Sequence, residues 1–275
     1  MIEPNFSESQ LQQAANAAFI MINGKSHNKW LFAHILSLSD EFFLGWDSAF
    51  YLDWLPYPAL PDHAGCNFFL QYKLSNQYTS PGAAEWIHWK QEYLRFKIPH
   101  SAKDVSGKYI DDYHQWDSLK ALAGKGYPTY YGTNATLFKS ELELAYQADT
   151  LLKYVPLLDV RTVSGIHKHV TFTPTSANFK LHSDVEESPV FTLSAVIESL
   201  AQVQQTSIAE ANERLLSELS EMNQNDVHWK TDIARIQQSF SQLPRRAIPW
   251  AKHQALRAFV RKHIGATMYW SSQNV

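Results

Sequence analysis

The sequence predicts an α/β protein, a mixed sheet flanked by helices and followed by a mainly helical C-terminal region. Three observations carry that expectation. Asn67-Phe-Phe-Leu-Gln-Tyr-Lys73 is a short apolar run bounded upstream by Pro61, Gly65 and Asn67, a pattern that suits a buried strand better than a helix. The residues after it alternate between strand-like and helix-like runs, the order of an α/β core. From Thr192 onward, Leu193, Val196, Ile197, Leu200 and Val203 recur at helical spacing.

Taken in order, Ser7 to Met21 reads as a helix with Ser7 or Ser9 as its N-cap and Gly24 as a stop. Leu11, Ala15, Ala18, Phe19 and Ile22 form its apolar stripe. A second short helix is expected from about Asn28 to Ser37, with Trp30, Leu31, His34, Ile35 and Leu38 inward. Asp47 opens another aromatic-rich, strand-like run, and the strand at 67–73 follows. Ala83 to Trp89 reads as a helical turn. Tyr93-Leu-Arg-Phe-Lys-Ile98 alternates, so Arg95 and Lys97 share one face. Asp111 to Lys125 reads as a helix with Trp116, Leu119 and Leu122 inward, Thr129 to Phe138 is β-rich, and Leu142 to Leu152 is amphipathic. Residues 1–154 are therefore expected to form the α/β core.

Residues 155–190 differ in character and read as a β-rich segment continuing or flanking the core. Val155 to Val160, His167 to Phe172 and Asn178 to His182 read as short strands. His167 and His169 share a face, and His182 could join them. Three histidines can hold zinc or copper, although hydrogen-bonded or surface histidines are the commoner outcome. Residues 191–275 read as helical, with Ile208, Leu215, Leu219 and Met222 extending the stripe into a helical hairpin or a packing surface for a partner protein. Charge is segregated there. From Asp184 to Asp226 the acids face the single base Arg214, and beyond Val227 the bases face the single acid Asp232. A helix from Pro249 places Arg257, Arg261 and Lys262 close together, either as a phosphate-binding face or docked on the acidic hairpin.

The strand at 67–73 carries the chemistry. Strand side chains alternate, so Gln71 and Lys73 project together while Tyr72 points the other way. A hard cation such as Mg2+ takes oxygen ligands, and a Gln carbonyl can supply one where carboxylates supply the rest. A nearby lysine can orient water or stabilise charge building on a phosphate. Upstream, Glu41, Gly45 and Asp47 lie at the entry to the preceding aromatic run.

Glu41, then Gly45-Trp-Asp47, then Phe68-Phe-Leu-Gln71-Tyr-Lys73 resembles the core of PD-(D/E)XK nucleases, of restriction-endonuclease-like fold. It is most similar to the Mrr-like branch, in which Gln replaces the second acid. The resemblance implies a metal-dependent endonuclease acting on DNA, in bacterial defence against phage or foreign DNA. Asp47 would be the metal-binding acid, Gln71 the second ligand, Lys73 the catalytic lysine and Glu41 an auxiliary acid, around Mg2+ or Mn2+. In that family a Glu on a preceding helix often assists. Pro61-Asp62 offers a rival metal acid to Asp47. Arg95, Lys97, Arg257, Arg261 and Lys262 are the candidate nucleic-acid contacts, and Gln115 could face the site. An RNA substrate shares the same logic. So does a catalytically inactive, nuclease-like subunit that binds nucleic acid or a partner protein.

Composition sets the outer bounds. The 275 residues are 45% hydrophobic, 13% aromatic and 19% charged, ample for a packed core and unlike a disordered chain. No apolar run approaches the roughly 20 residues that span a bilayer. The N-terminus lacks a signal-peptide layout, and the lone Cys66 cannot form an internal disulfide, so a cytoplasmic protein is expected. A net charge of -3 does not advertise nucleic-acid binding, which would have to rest on a local basic face.

Overall fold

Helix α1 (Glu8–Ser26) opens the computed structural model, and its start is encoded locally. Ser7 Oγ accepts a hydrogen bond from the Gln10 N–H (3.2 Å) while Gln10 Oε1 accepts one from the Ser7 N–H (2.8 Å), a reciprocal capping box. The structure describes residues 1–26, 33–35, 50–52, 64–98, 102–103, 109–110, 115–165, 167–183, 185–200, 202–222, 226–238, 240, 243, 245 and 248–272.

Two short strands, β1 (Ala33–Ile35) and β2 (Phe50–Leu52), pair antiparallel. The helix expected from Asn28 to Ser37 is thus corrected at its centre, where His34 pairs with Tyr51. A ten-residue helix is marginal by itself, and a ladder partner outweighs it. There follow β3 (Ala64–Tyr72), β4 (Asn76–Tyr78), α2 (Trp86–Trp89), β5 (Tyr93–Lys97), β6 (Ala102–Lys103) and β7 (Tyr109–Ile110). Next come α3 (Gln115–Gly124), β8 (Thr129–Gly132), α4 (Lys139–Gln147), β9 (Pro156–Asp159), β10 (His169–Phe172), β11 (Asn178–His182), β12 (Glu186–Pro189) and β13 (Phe191–Thr192). The chain continues through α5 (Leu193–Leu200), β14 (Thr206–Ser207), α6 (Ile208–Met222), α7 (Val227–Gln238), α8 (Ile248–His263) and β15 (Thr267–Ser272). The class is mixed α/β, with a mixed sheet flanked by helices. Among the described residues, no helix is long and apolar enough to cross a membrane.

The chain divides into two units, Met1–Ala18 with Phe69–Ser199, and Phe19–Phe68 with Leu200–Val275. The β-rich 155–190 segment lies wholly in the first. That unit holds an antiparallel sheet in the order β12-β11-β10-β5-β4. Leu94, Phe96, Val170, Phe172, Phe179 and Leu181 line its buried face, each at most 3% exposed. Phe179 meets Phe172 and Phe96 edge-on at 5.2 and 6.2 Å. Burying each such ring contributes about 1.5–3 kcal/mol.

The first unit's other sheet runs β13-β9-β8-β3. Within it β3 and β8 are parallel, Phe69 opposite Thr129 and Gln71 opposite Tyr131. Parallel neighbours need a crossover, and α3 lies within it. Trp116 of α3 stacks on Tyr131 at 6.0 Å. In the second unit, β14 pairs with Ala64 and Gly65, and β15 also pairs with β3. Phe19, Phe68 and Tyr269 pack together there, Phe68 stacked on Tyr269 at 4.8 Å.

Candidate active site

Gln71 and Lys73 leave the end of β3 on one side, as alternation requires, and both reach the same acid. That acid is Glu8, in the first turn of α1. Gln71 is 5% exposed, and its Nε2 donates to the Tyr72 carbonyl at 2.9 Å and to Glu8 Oε1 at 3.4 Å. Its carbonyl Oε1 accepts no hydrogen bond among the described residues. A buried acceptor left this way costs about 1–3 kcal/mol, so it calls for a donor or a cation. Lys73 Nζ lies 4.0 Å from Glu8 Oε2, its side chain 17% exposed. Burial pushes the Lys73 amine below the usual lysine value, and the Glu8 carboxylate pulls it part of the way back. The helix N-terminus favours a carboxylate at Glu8.

The backbone at this point is held firmly. The Lys73 N–H donates to the Gly132 carbonyl at 2.9 Å, continuing the parallel ladder past β3. Two residues on, the Asn134 side chain takes over as partner. Its Oδ1 accepts the Ser75 N–H at 2.7 Å, and its Nδ2 donates to the Ser75 and Thr136 carbonyls at 3.1 and 2.8 Å. The Ser75 and Thr133 hydroxyls lie 2.6 Å apart, and Ser75, Thr133 and Asn134 are fully buried. Gln115, the first residue of α3, is also buried. Asp47, Glu41 and the rival Asp62 lie outside the described residues.

The candidate nucleic-acid contacts behave differently from one another. Arg95 and Lys97 do share a sheet face, but Arg95 Nη1 sits 3.0 Å from both carboxylate oxygens of buried Glu85. Its Nη2 donates to the Tyr78 hydroxyl, and its guanidinium lies 4.0 Å over the Tyr78 ring. That ring stacks in turn on Tyr93 at 5.4 Å, and the Tyr93 hydroxyl donates to Glu85 Oε2 at 2.9 Å. Burial works to raise the Glu85 carboxyl, but Tyr93 and Arg95 outweigh it and hold it below the usual value. Arg95 is committed to this network, whereas Lys97 is exposed.

On α8, Lys262 Nζ and His263 Nε2 share Asp232 Oδ2 at 2.6 and 2.9 Å. Arg257 Nη1 reaches Gln254 Oε1 at 3.5 Å, and Arg261 is exposed. Lys252 Nζ pairs with Glu213 Oε1 at 2.5 Å, joining α8 to the acidic α6. Docking of the basic helix on acidic neighbours therefore uses Lys252 and Lys262. The three histidines do not present one ligand set. His169 and His182 stand opposite each other, but His167 is buried with its Nε2 2.8 Å from Glu186 Oε2. Among the described residues, no group of three or more His, Cys, Asp or Glu could hold a metal ion.

No protein-family model matches the chain, and neither a curated protein nor a solved structure is similar to it.

Proposed function

We propose that the chain is a metal-dependent nuclease that hydrolyses phosphodiester bonds in DNA. One observation carries the reading. Glu8, Gln71 and Lys73 converge at the end of a strand that crosses through α3 to a parallel neighbour. This is the strand, helix, strand order that the PD-(D/E)XK resemblance implies, with an acid supplied by a preceding helix.

The donor set suits a hard cation. The Gln71 carbonyl, which accepts no hydrogen bond among the described residues, and the Glu8 carboxylate are oxygen donors, and Mg2+ uses only one or two carboxylates while keeping several waters. Asp47, carried over from the resemblance, would be a further ligand. When bound, the ion lowers the pKa of water and polarises a phosphoryl oxygen. Lys73 is a donor placed to stabilise negative charge building on the phosphate, and its partial burial strengthens that interaction. The buried Asn134 clamp fixes where the strand ends and so where Lys73 begins. A role in defence against phage or foreign DNA follows from the resemblance.

The test is Mg2+- or Mn2+-dependent cleavage of plasmid and linear DNA by wild type beside Lys73→Ala, Asp47→Ala and Glu8→Gln. Wild-type cleavage that falls by about 10²-fold or more in Lys73→Ala and Asp47→Ala, with circular dichroism unchanged, is the expected result. Retained activity in Glu8→Gln alone would remove Glu8 from the site. Equal cleavage by all four proteins would sink the assignment. No cleavage by any would leave an inactive, nucleic-acid-binding subunit as the better reading.

A further inference from the structure

Three strands of the first unit's antiparallel sheet carry two polar rows on the side away from the Leu94, Phe96, Val170 and Phe179 core. Register sets Arg95 opposite Thr171 and Thr171 opposite Lys180. One step along, it sets Lys97 opposite His169 and His169 opposite His182. The Arg95 row is closed on itself. Arg95 is held by Glu85, while Lys180 lies 3.4 Å from Glu187 and 5.2 Å over the Trp89 ring.

The Lys97 row is open. Lys97 and the neighbouring Lys168 are both exposed, and neither makes an ion pair among the described residues. The His182 imidazole is held by a hydrogen-bond chain. Trp89 Nε1–H donates to Thr171 Oγ1 at 2.9 Å, and Thr171 Oγ1 and His182 Nε2 are hydrogen-bonded at 2.7 Å.

Groups on every side bear on these rings. His182 is faced by Glu85, His88, His169 and His167, with the His88 ring 5.1 Å away. His169 is faced by Arg95, Glu85, Lys97 and Lys168, and its Nδ1 lies 3.6 Å from Glu85 Oε1. Burial pushes both imidazoles below their ordinary value against the pull of Glu85, helped by Arg95, Lys97 and Lys168 at His169 and, to a smaller extent, by the neighbouring imidazoles at His182. Basic groups directly opposite one another in a ladder repel, and an anion laid across them relieves that repulsion. The donors lie in a line on an open sheet face, which suits an extended polyanion rather than a single enclosed ion.

We propose that the Lys97, His169 and His182 row, extended by Lys168, binds consecutive phosphates of a nucleic-acid strand. Binding recruits protons to the imidazoles, so it tightens as pH falls. This surface stands on its own geometry and does not depend on the reading of Gln71 and Lys73.

The experiment is fluorescence anisotropy with a fluorescein-labelled DNA duplex, in EDTA so that no strand is cut. Lys97→Ala and Lys168→Ala should each weaken binding and reduce the slope of log K against log salt by about 0.9, one phosphate contact apiece. Wild-type affinity should rise by about threefold or more between pH 7.5 and 5.5, and the paired change His169→Gln with His182→Gln should remove that rise. If the histidine pair does not fold, the exposed lysines still carry the test. No binding by wild type, or equal affinity and slope in both lysine variants, overturns the proposal. Displacement of the DNA by inorganic phosphate at matched ionic strength would overturn it in favour of a small-anion site.

Discussion

His253 makes the second unit sensitive to acid. It is 1% exposed on α8, and its Nδ1 lies 3.0 Å from Asn212 Oδ1. Asn212 Nδ2 donates to the Pro249 carbonyl at 2.7 Å, which leaves Oδ1 to accept and puts the His253 proton on Nδ1. Protonating Nε2 would bury a charge, and Arg257 repels that charge further. Burial and Arg257 push the His253 pKa down to about 3. Because the folded value lies below the unfolded value of about 6.5, the unfolded state gains the proton first. Stability is therefore full above pH 6.5 and is lost as pH falls toward 3. Between pH 7 and pH 5 this group alone costs about 2 kcal/mol. Half-buried His182, pushed down to about 4, acts in the same direction over this window, with solvent screening making its share smaller. Urea unfolding at the two pH values measures the difference. His253→Gln should shrink the pH 7 to pH 5 loss by about 2 kcal/mol, whatever it does to stability at pH 7. An unchanged loss in His253→Gln would refute the account of a neutral, buried imidazole.

Two further substitutions test the packing around the candidate site and in the second unit. A Cβ at Gly65 would lie 2.5 Å from the Trp270 ring and 2.6 Å from the Ser271 carbonyl, so Gly65→Ala should cost about 1–3 kcal/mol in urea unfolding. Asn134→Leu keeps the branching and the number of side-chain heavy atoms but leaves the Ser75 N–H and carbonyl without their Asn134 partner in a buried site. A loss of about 2–3 kcal/mol is expected, with faster amide exchange at Ser75, while Ser75→Ala, which spares those two bonds, should cost less.

What the sequence discloses tracks the range of the interaction. The β3 strand, its projecting Gln71 and Lys73, and the capped start of α1 are local and legible. Glu8 is not legible as a site residue, because it lies 63 residues from Gln71 in sequence and only the fold brings them together. The capping box at Ser7 and Gln10 was the one available signal, since it fixes Glu8 in the first helical turn. Alternation makes Arg95 look like a phosphate contact because it reveals the face of a strand and not the buried Glu85 on it. The run from Thr192 divides at β14, although a second capping box marks the restart. Ser207 Oγ accepts the Glu210 N–H at 3.2 Å while Glu210 Oε2 accepts the Ser207 N–H at 3.1 Å. Strands of two or three residues, such as β4, β13 and β14, are too short for alternation to register.

The division of the chain bears on its biogenesis. Each unit is built from two stretches far apart in sequence, Met1–Ala18 with Phe69–Ser199 and Phe19–Phe68 with Leu200–Val275. On the ribosome, neither unit has all its parts until the later stretch has emerged. β14 and β15, which pair with β3, are made more than a hundred residues after it. Until then an aromatic strand with unpaired backbone groups waits in the nascent chain, the kind of edge that attracts other strands. Shortening the gene from its 3′ end should thus yield aggregates well before it yields a smaller soluble protein.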